Sequence, residues 1–240
     1  MSLFILDSSI GRKLIMSITG VFLILFLLFH SLMNVVVIIS PEAYNIICEF
    51  LGANWYAIVG TLVLAGGFVV HILYAFLLTF LNWRARGSKS YAISARQKGV
   101  EWSSKNMLIL GIIILGFLCL HLYNFWFKMQ FVELMHKSGM HFGDIENATN
   151  GAMYVRELFS NPIYSGLYLV WLAALWFHLT HGVWSALHSL GLNNKTWLPR
   201  VKVISNITST IVVLLFASVV VYYFVSALIS GEISWLLLNL

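Results

Sequence analysis

Five long runs of apolar residues, separated by polar stretches, dominate this chain of 240 residues. The runs cover about residues 14–39, 57–81, 107–127, 163–188 and 203–229. A helix needs roughly 20 predominantly apolar residues to cross a bilayer, and each run meets that length. The runs are solidly apolar and do not alternate, which predicts helices and excludes the strands of a barrel. The pattern therefore predicts a single all-α domain over residues 1–240, an integral membrane bundle of five transmembrane helices.

Composition and charge add an orientation to this bundle. The chain is 60% hydrophobic and 10% charged, with a mean hydropathy of +0.88, whereas soluble domains carry about 25% charged residues. Eleven of the 14 lysines and arginines fall on one side of the bundle, namely Arg12, Lys13, Arg84, Arg86, Lys89, Arg96, Lys98, Lys105, Lys195, Arg200 and Lys202. The positive-inside rule then predicts a multi-pass protein of the inner (cytoplasmic) membrane, with a cytoplasmic N-terminus and an external C-terminus. The formal charge of +5 reflects this topology, so lipid is expected as a partner and nucleic acid is not.

Four of the five runs contain a histidine near the middle of the membrane: His30, His71, His121 and His178. An ionisable side chain at that depth is costly and marks a functional site by default. These runs contain no Asp, Glu, Lys or Arg as partners. One histidine on each of four helices is typical of pairwise axial ligation of haem iron. For any one of them alone, the simpler interpretation is a hydrogen-bonded core residue. No CxxCH motif occurs, so a haem would be held non-covalently.

Depth along the helices sorts these histidines into two pairs. With a rise of about 1.5 Å per residue, His30 and His121 lie roughly 21–24 Å from the cytoplasmic ends of their spans. His71 and His178 lie roughly 15–20 Å from that side. We therefore expect one haem between His30 and His121 and another between His71 and His178. Glycines near these histidines would leave helix faces bare for a flat macrocycle or for helix packing, namely Gly20, Gly66, Gly67 and Gly116.

Two further histidines follow in the fourth run. His181 lies three residues after His178 and His188 lies near the membrane edge. His181 could replace His178 as the axial ligand, or it could bind a haem propionate. His188 is expected to contact a propionate or to lie on the surface.

Three short motifs carry a resemblance to a known family. Ser17-Ile-Thr19-Gly20 precedes His30 by ten residues, Gly116-Phe-Leu-Cys-Leu-His121 lies in the third run, and His178-Leu-Thr-His181-Gly182 lies in the fourth. In order and spacing the chain resembles, over about residues 8–228, the di-haem cytochrome b subunit of succinate:quinone and quinol:fumarate reductases. The resemblance implies the same four axial ligands as the depth argument, and it favours His178 over His181.

This resemblance implies a complex. A flavoprotein subunit and an iron–sulfur subunit would bind on the cytoplasmic face, near the basic loop from Arg84 to Lys105. This chain would hold two b haems and react with a quinone, by resemblance menaquinone, and would itself contain no flavin or succinate site. It would thus be the quinone-reactive subunit of the enzyme. Succinate oxidation and fumarate reduction use the same redox groups, so the sequence leaves the direction open.

Two positions qualify the resemblance. Some fumarate-reducing members have a glutamate two residues before the fourth ligand, which helps protons cross, but this chain has Trp176 there. The quinone is expected near His30, Met33 and Asn34, with Glu49 as the candidate proton-exchanging acid. Glu42 is an alternative acid, and a plain solvated loop residue is the alternative role for Glu49.

Two other functions compete. The di-haem cytochrome b anchor of a nitrate reductase or hydrogenase also uses four histidines, but it concentrates them on fewer helices. A cofactor-free transporter or structural membrane protein would typically show broken helices or acids buried at the midplane. The one-per-helix distribution favours the succinate dehydrogenase or fumarate reductase type over both.

Overall fold

Nine α-helices form the part of the chain that the structure, a computed structural model, describes, which is residues 8–86 and 102–233. They are α1 (Ser9–Ile39), α2 (Pro41–Phe50), α3 (Trp55–Arg86), α4 (Trp102–Lys105), α5 (Met107–His121), α6 (Gln130–Lys137), α7 (Gly151–Phe159), α8 (Pro162–Ser189) and α9 (Trp197–Ser230). A π-helix over Leu122–Phe127 continues α5. These two ranges contain no strand.

Five of the helices are long and apolar enough to cross a membrane, which confirms the all-α membrane fold. They are Ser9–Ile39, Trp55–Ala85, Met107–Phe127, Pro162–Ser189 and Trp197–Ser230. Most of them extend beyond the apolar runs by several residues, because polar residues continue a helix after the apolar pattern has ended. The last of the five, α9, begins at Trp197. There the Asn194 side chain accepts hydrogen bonds from the main-chain N–H groups of Thr196 and Trp197 at 3.1 and 2.8 Å.

Local capping determines where several helices begin. Asn161 Oδ1 accepts a hydrogen bond from Ile163 N at 2.9 Å, and Pro162 occupies the first turn of α8. The Ser40 side chain likewise accepts from Ala43 N at 3.1 Å, directly before Pro41 at the start of α2. Proline suits the first helical turn because it has no N–H to leave unpaired.

The fold divides into two compact units. The first unit comprises the described residues of Met1–Phe26, Val63–Ile112 and Phe177–Ser209, and the second comprises those of Leu27–Leu62, Ile113–Trp176 and Thr210–Leu240. In the first unit, Ser205 Oγ donates to Thr180 O at 2.7 Å. In the second, Tyr223 OH donates to Val37 O at 3.1 Å, and Val37 is fully buried.

Three short helices of the second unit, α2, α6 and α7, form what we call the cap. Asn45 on α2 joins two of them, because its Oδ1 accepts from Ala152 N at 2.9 Å and its Nδ2 donates to Asn150 Oδ1 at 3.0 Å. The segment between α5 and α8 is therefore largely helical and packs on α2.

Polar side chains of α6 attach the cap to the turn between α2 and α3. Gln130 Nε2 donates to Gly52 O at 2.9 Å, Lys137 Nζ donates to Ala53 O at 2.6 Å, and Glu133 Oε2 accepts from Ala53 N at 3.1 Å. Main-chain groups of an irregular turn need such partners when they are buried. The turn is thus held by three side chains from one helix face.

Candidate functional site

His30 and His121 lie side by side in the second unit. Their ring centroids are 5.9 Å apart and their planes are nearly perpendicular, at 84°. A bond between a metal and an imidazole nitrogen is about 2 Å long, so two imidazoles on opposite sides of one ion have centroids about 6 Å apart. The spacing of this pair therefore fits two axial ligands of one iron.

Aromatic side chains surround this pair. His121 contacts Phe125 at 5.1 Å and Trp171 at 5.6 Å, and His30 contacts Phe216 at 5.5 Å, all between ring centroids. Large apolar rings exclude water from the two imidazoles, which favours their neutral form. Neutral imidazole is the form that binds a metal.

His71 and His178 belong together to the first unit. A β-carbon added at Gly20 would lie 3.6 Å from Cε1 of His71, and one at Gly111 would lie 3.9 Å from Cε1 of His178. Each histidine of this pair thus faces bare backbone on a neighbouring helix. Gly20 precedes His30 in the sequence, and in the structure its bare face lies against His71.

The chemistry of the two histidine pairs is compatible with a haem at each. His121 Nδ1 and His178 Nδ1, one from each pair, are buried without a hydrogen-bond partner. Each of these imidazoles therefore has one ring nitrogen without a protein partner, at a cost of about 1–3 kcal/mol. No cluster of three or more His, Cys, Asp or Glu suited to a metal occurs among residues 8–86 and 102–233. Two histidines alone would leave the coordination of an iron incomplete, and a haem macrocycle would supply the remaining ligands.

The helix of His121 changes its winding directly after that residue. Leu122–Phe127 forms a π-helix of six residues, in which Asn124 is buried and donates from Nδ2 to Tyr168 OH at 3.0 Å. Such short π segments occur often at functional sites. Apolar periodicity does not predict this change, and we found no sequence signal for it.

His181 and His188 share one neighbour, Trp184. The Trp184 ring centroid lies 4.9 Å from that of His181 and 6.2 Å from that of His188, and Lys202 Nζ lies 4.7 Å from it. Three basic side chains therefore surround one indole in the first unit. Basic side chains bind carboxylate groups, so the propionate contacts predicted for His181 and His188 stay a prediction.

Glu49, the predicted proton-exchanging acid, is exposed on α2. A second acid that the sequence did not single out is Glu133, 80 residues from the Ala53 N–H that it accepts from. Burial raises the pKa of Glu133, and the Ala53 N–H and Lys137 oppose that rise, while the charge of Glu49 adds to it. Only the fold reveals this acid, because the partners that bury it are far away in the sequence.

A cleft of about 650 Å³ opens in the second unit between the cap and the ends of α1 and α9. Its lining includes Val37, Tyr223, Arg156, Glu157 and Glu232, but not Glu49. Val37 follows His30 by seven residues and Tyr223 follows Phe216 by seven residues. Seven residues span about two turns, or about 10 Å along a helix. The cleft therefore lies about two turns from the contact between His30 and Phe216.

The remaining predicted positions are as follows. Trp176 Nε1 donates to Thr210 Oγ1 at 3.0 Å, and this neutral side chain stands where some members of the resembled family have a glutamate. Arg84 and Lys105 border the basic loop. Lys89, Arg96, Lys98 and the side chain of Arg86 lie outside the described residues.

Comparisons of the chain with protein-family models, with curated proteins and with solved structures find no match.

Proposed function

We propose that this chain is the membrane-anchor cytochrome b subunit of a succinate dehydrogenase or quinol:fumarate reductase complex. It would hold two b haems and relay electrons between an iron–sulfur subunit and membrane quinone, by resemblance menaquinone. The observation that carries the proposal is the separation of four histidines from four helices into two pairs, one in each compact unit. The 5.9 Å spacing of His30 and His121 supports it further.

Each group of residues has a role in this proposal. His30 and His121 bind one iron, and His71 and His178 bind the other. When bound, haem iron supplies reversible one-electron transfer. Phe125, Trp171 and Phe216 keep water from the first of these pairs. The basic side chains around Trp184 hold carboxylates by charge-assisted hydrogen bonds.

The quinone is proposed to bind in the cleft beyond His30. A volume of about 650 Å³ falls within the range of roughly 300–1,000 Å³ that small-molecule sites show. The lining combines apolar walls such as Val37 with polar groups such as Arg156. Arg156 pairs with Glu232 at 3.3 Å, and we assign proton exchange with the quinone to Glu157, the other acid in the lining of the cleft.

Glu49, the acid predicted from the sequence, remains a second candidate, and paired substitutions compare the two. We expect Glu157→Gln to slow quinone-coupled turnover, with both haems retained. Succinate oxidation with an artificial acceptor at the soluble subunits should be unchanged. If Glu49→Gln slows turnover and Glu157→Gln does not, the quinone does not use the acid of the cleft.

A haem assay tests the central claim. We expect the purified chain to contain two b haems with low-spin, bis-histidine spectra. Substitution of His30, His71, His121 or His178 by alanine should remove one haem each, while His181→Ala should retain both. A reduced-minus-oxidised spectrum without a b-type band would overturn the proposal and favour a cofactor-free membrane protein.

The partner complex needs a separate measurement, because other di-haem cytochromes would pass the haem assay. Cross-links from Arg84 or Lys105 to an iron–sulfur subunit with a flavoprotein bound to it would support the succinate dehydrogenase or fumarate reductase type. Co-purification with a nitrate reductase or hydrogenase instead would assign the chain to the other class.

A further inference from the structure

A hydrogen bond to His71 supports an inference that goes beyond the proposed function. The inference depends on that function. Thr19 Oγ1 lies 3.2 Å from His71 Nδ1, and the two residues are 52 positions apart. The same hydroxyl lies 2.9 Å from Ile15 O and 3.1 Å from Met16 O, both in its own helix. A threonine hydroxyl has one proton, and threonine in a helix commonly donates it to a carbonyl of the preceding turn. The shorter contacts therefore take the hydroxyl proton, and the oxygen remains an acceptor toward His71.

The direction of this hydrogen bond determines which nitrogen of His71 can bind iron. Neutral imidazole carries one N–H and one lone pair. When Nδ1–H donates to Thr19, the lone pair is on Nε2. We infer that Thr19 is a positioning residue that fixes His71 as the Nδ1–H tautomer and presents Nε2 to the iron.

The neighbouring residue supports this inference. Gly20 follows Thr19, and a β-carbon there would lie 3.6 Å from Cε1 of the same imidazole. Thr19 thus holds the ring by one nitrogen, and Gly20 brings bare backbone against its edge. The motif Ser17-Ile-Thr19-Gly20, which precedes His30 in sequence, therefore acts on His71.

The inference also predicts a difference between the two ligands of this pair. His178 Nδ1 is buried without a hydrogen-bond partner, whereas His71 Nδ1 has Thr19. Donation of the outer N–H makes a histidine ligand more basic. A more basic ligand stabilises Fe(III) relative to Fe(II), so Thr19 lowers the midpoint potential of the haem that His71 binds.

Substitution of Thr19 tests this effect in the full-length protein. Thr19→Val preserves the shape and removes the acceptor, whereas Thr19→Ser retains the hydroxyl. Thr79→Val is a matched control on the helix of His71, since Thr79 Oγ1 donates to Ala75 O at 2.8 Å. The measurements are haem content, a redox titration of both haems and the ferric electron paramagnetic resonance spectrum.

We expect Thr19→Val to raise the potential of one haem, with Thr19→Ser and Thr79→Val close to the unaltered protein. A tenfold change in the preference of the site for Fe(III) corresponds to about 59 mV for a one-electron couple. Loss of one haem in Thr19→Val with retention in Thr19→Ser would also support the inference.

Other outcomes would overturn it. Unchanged potentials and spectra in Thr19→Val, an equal shift of both haems, or loss of haem in Thr19→Ser as well would exclude a specific role for the hydroxyl. Failure of the haem assignment in the proposed function is a different result, because the unaltered protein would then contain no haem, and failure of the partner assignment alone would leave the haem measurements unaffected.

Discussion

Replacing Gly67 with alanine tests how closely α1 and α3 approach each other in the first unit. A β-carbon at Gly67 would lie 2.6 Å from Cε1 and 2.9 Å from Cδ1 of Phe22. Optimal separations between non-bonded carbons are about 3.5–4.0 Å, so the ring or the helix must move. At the preceding residue, Gly66, an added β-carbon has nothing within 4 Å. Two adjacent glycines therefore provide a test and its matched control.

The magnitude follows from two opposing effects. Glycine to alanine inside a helix stabilises by about 0.8–1 kcal/mol through backbone propensity. Overpacking a tight contact costs about 1–3 kcal/mol. The first effect is common to both variants, so Gly67→Ala should be less stable than Gly66→Ala by about 1–3 kcal/mol.

Thermal denaturation of the full-length protein in detergent measures this difference. We expect a lower midpoint for Gly67→Ala than for Gly66→Ala. A second substitution, Phe22→Ala, should narrow the gap, because it removes the ring that the new methyl group meets. Equal midpoints for the two glycine variants would refute the reasoning and would mean that the two helices are farther apart than described.

Further predictions concern the cap. Burial raises the pKa of Cys48 to about 11, so its alkylation should be slow near neutral pH and should accelerate as the pH approaches that value, measured by mass spectrometry. Gly151→Ala should speed that alkylation, because its β-carbon would clash with Cys48 Sγ and lie 2.9 Å from Cε1 of Tyr44. Burial raises the pKa of Glu133, so the folded cap favours the protonated acid. The stability that Glu133 contributes in this way is fully present below the pKa that it has in the unfolded chain. It is lost as the pH rises through the pKa that Glu133 has in the folded protein. Glu133→Gln should therefore flatten the dependence of the denaturation midpoint on pH as the pH rises above about 4.3, the ordinary pKa of glutamate.

The membrane helices could be predicted from the sequence because the bilayer imposes a simple requirement. Every residue of a span must be apolar or internally paired, so a run of apolar residues reports a helix directly. The start of α8 could be predicted as well, since the cap by Asn161 and the position of Pro162 depend on adjacent residues. The start of α9 was predicted less accurately. The apolar run begins at about residue 203 and the helix at Trp197, because polar residues belong to the helix but not to the apolar run.

Features that depend on distant parts of the chain could not be predicted. Glu133 is partly buried because the turn at Ala53 folds against it. Thr19 acts on a histidine 52 residues away, whereas its sequence position associates it with His30. Spacing along one helix shows which residues share a face. It does not show which neighbouring helix that face will meet.

Trp176 bears on how the proposed electron transfer responds to the membrane potential. Its indole N–H donates to Thr210 Oγ1 at 3.0 Å, and it is neutral where some members of the resembled family have a proton-carrying glutamate. In the proposed function, electrons enter on the cytoplasmic side and reach quinone near the external side. Without a compensating proton, each electron moves a full charge across the bilayer.

The effect of that charge movement is large enough to measure. Moving one elementary charge across the bilayer corresponds to about 2.3 kcal/mol per 100 mV of membrane potential. The two electrons from each succinate therefore correspond to about 4.6 kcal/mol per 100 mV. In proteoliposomes containing the whole complex, a potential that is positive on the quinone side should therefore accelerate succinate oxidation and slow fumarate reduction. A potential imposed by a potassium gradient and an ionophore supplies the test, with the reversed gradient as its control. Rates that are insensitive to both gradients would mean that protons accompany the electrons by a route independent of residue 176.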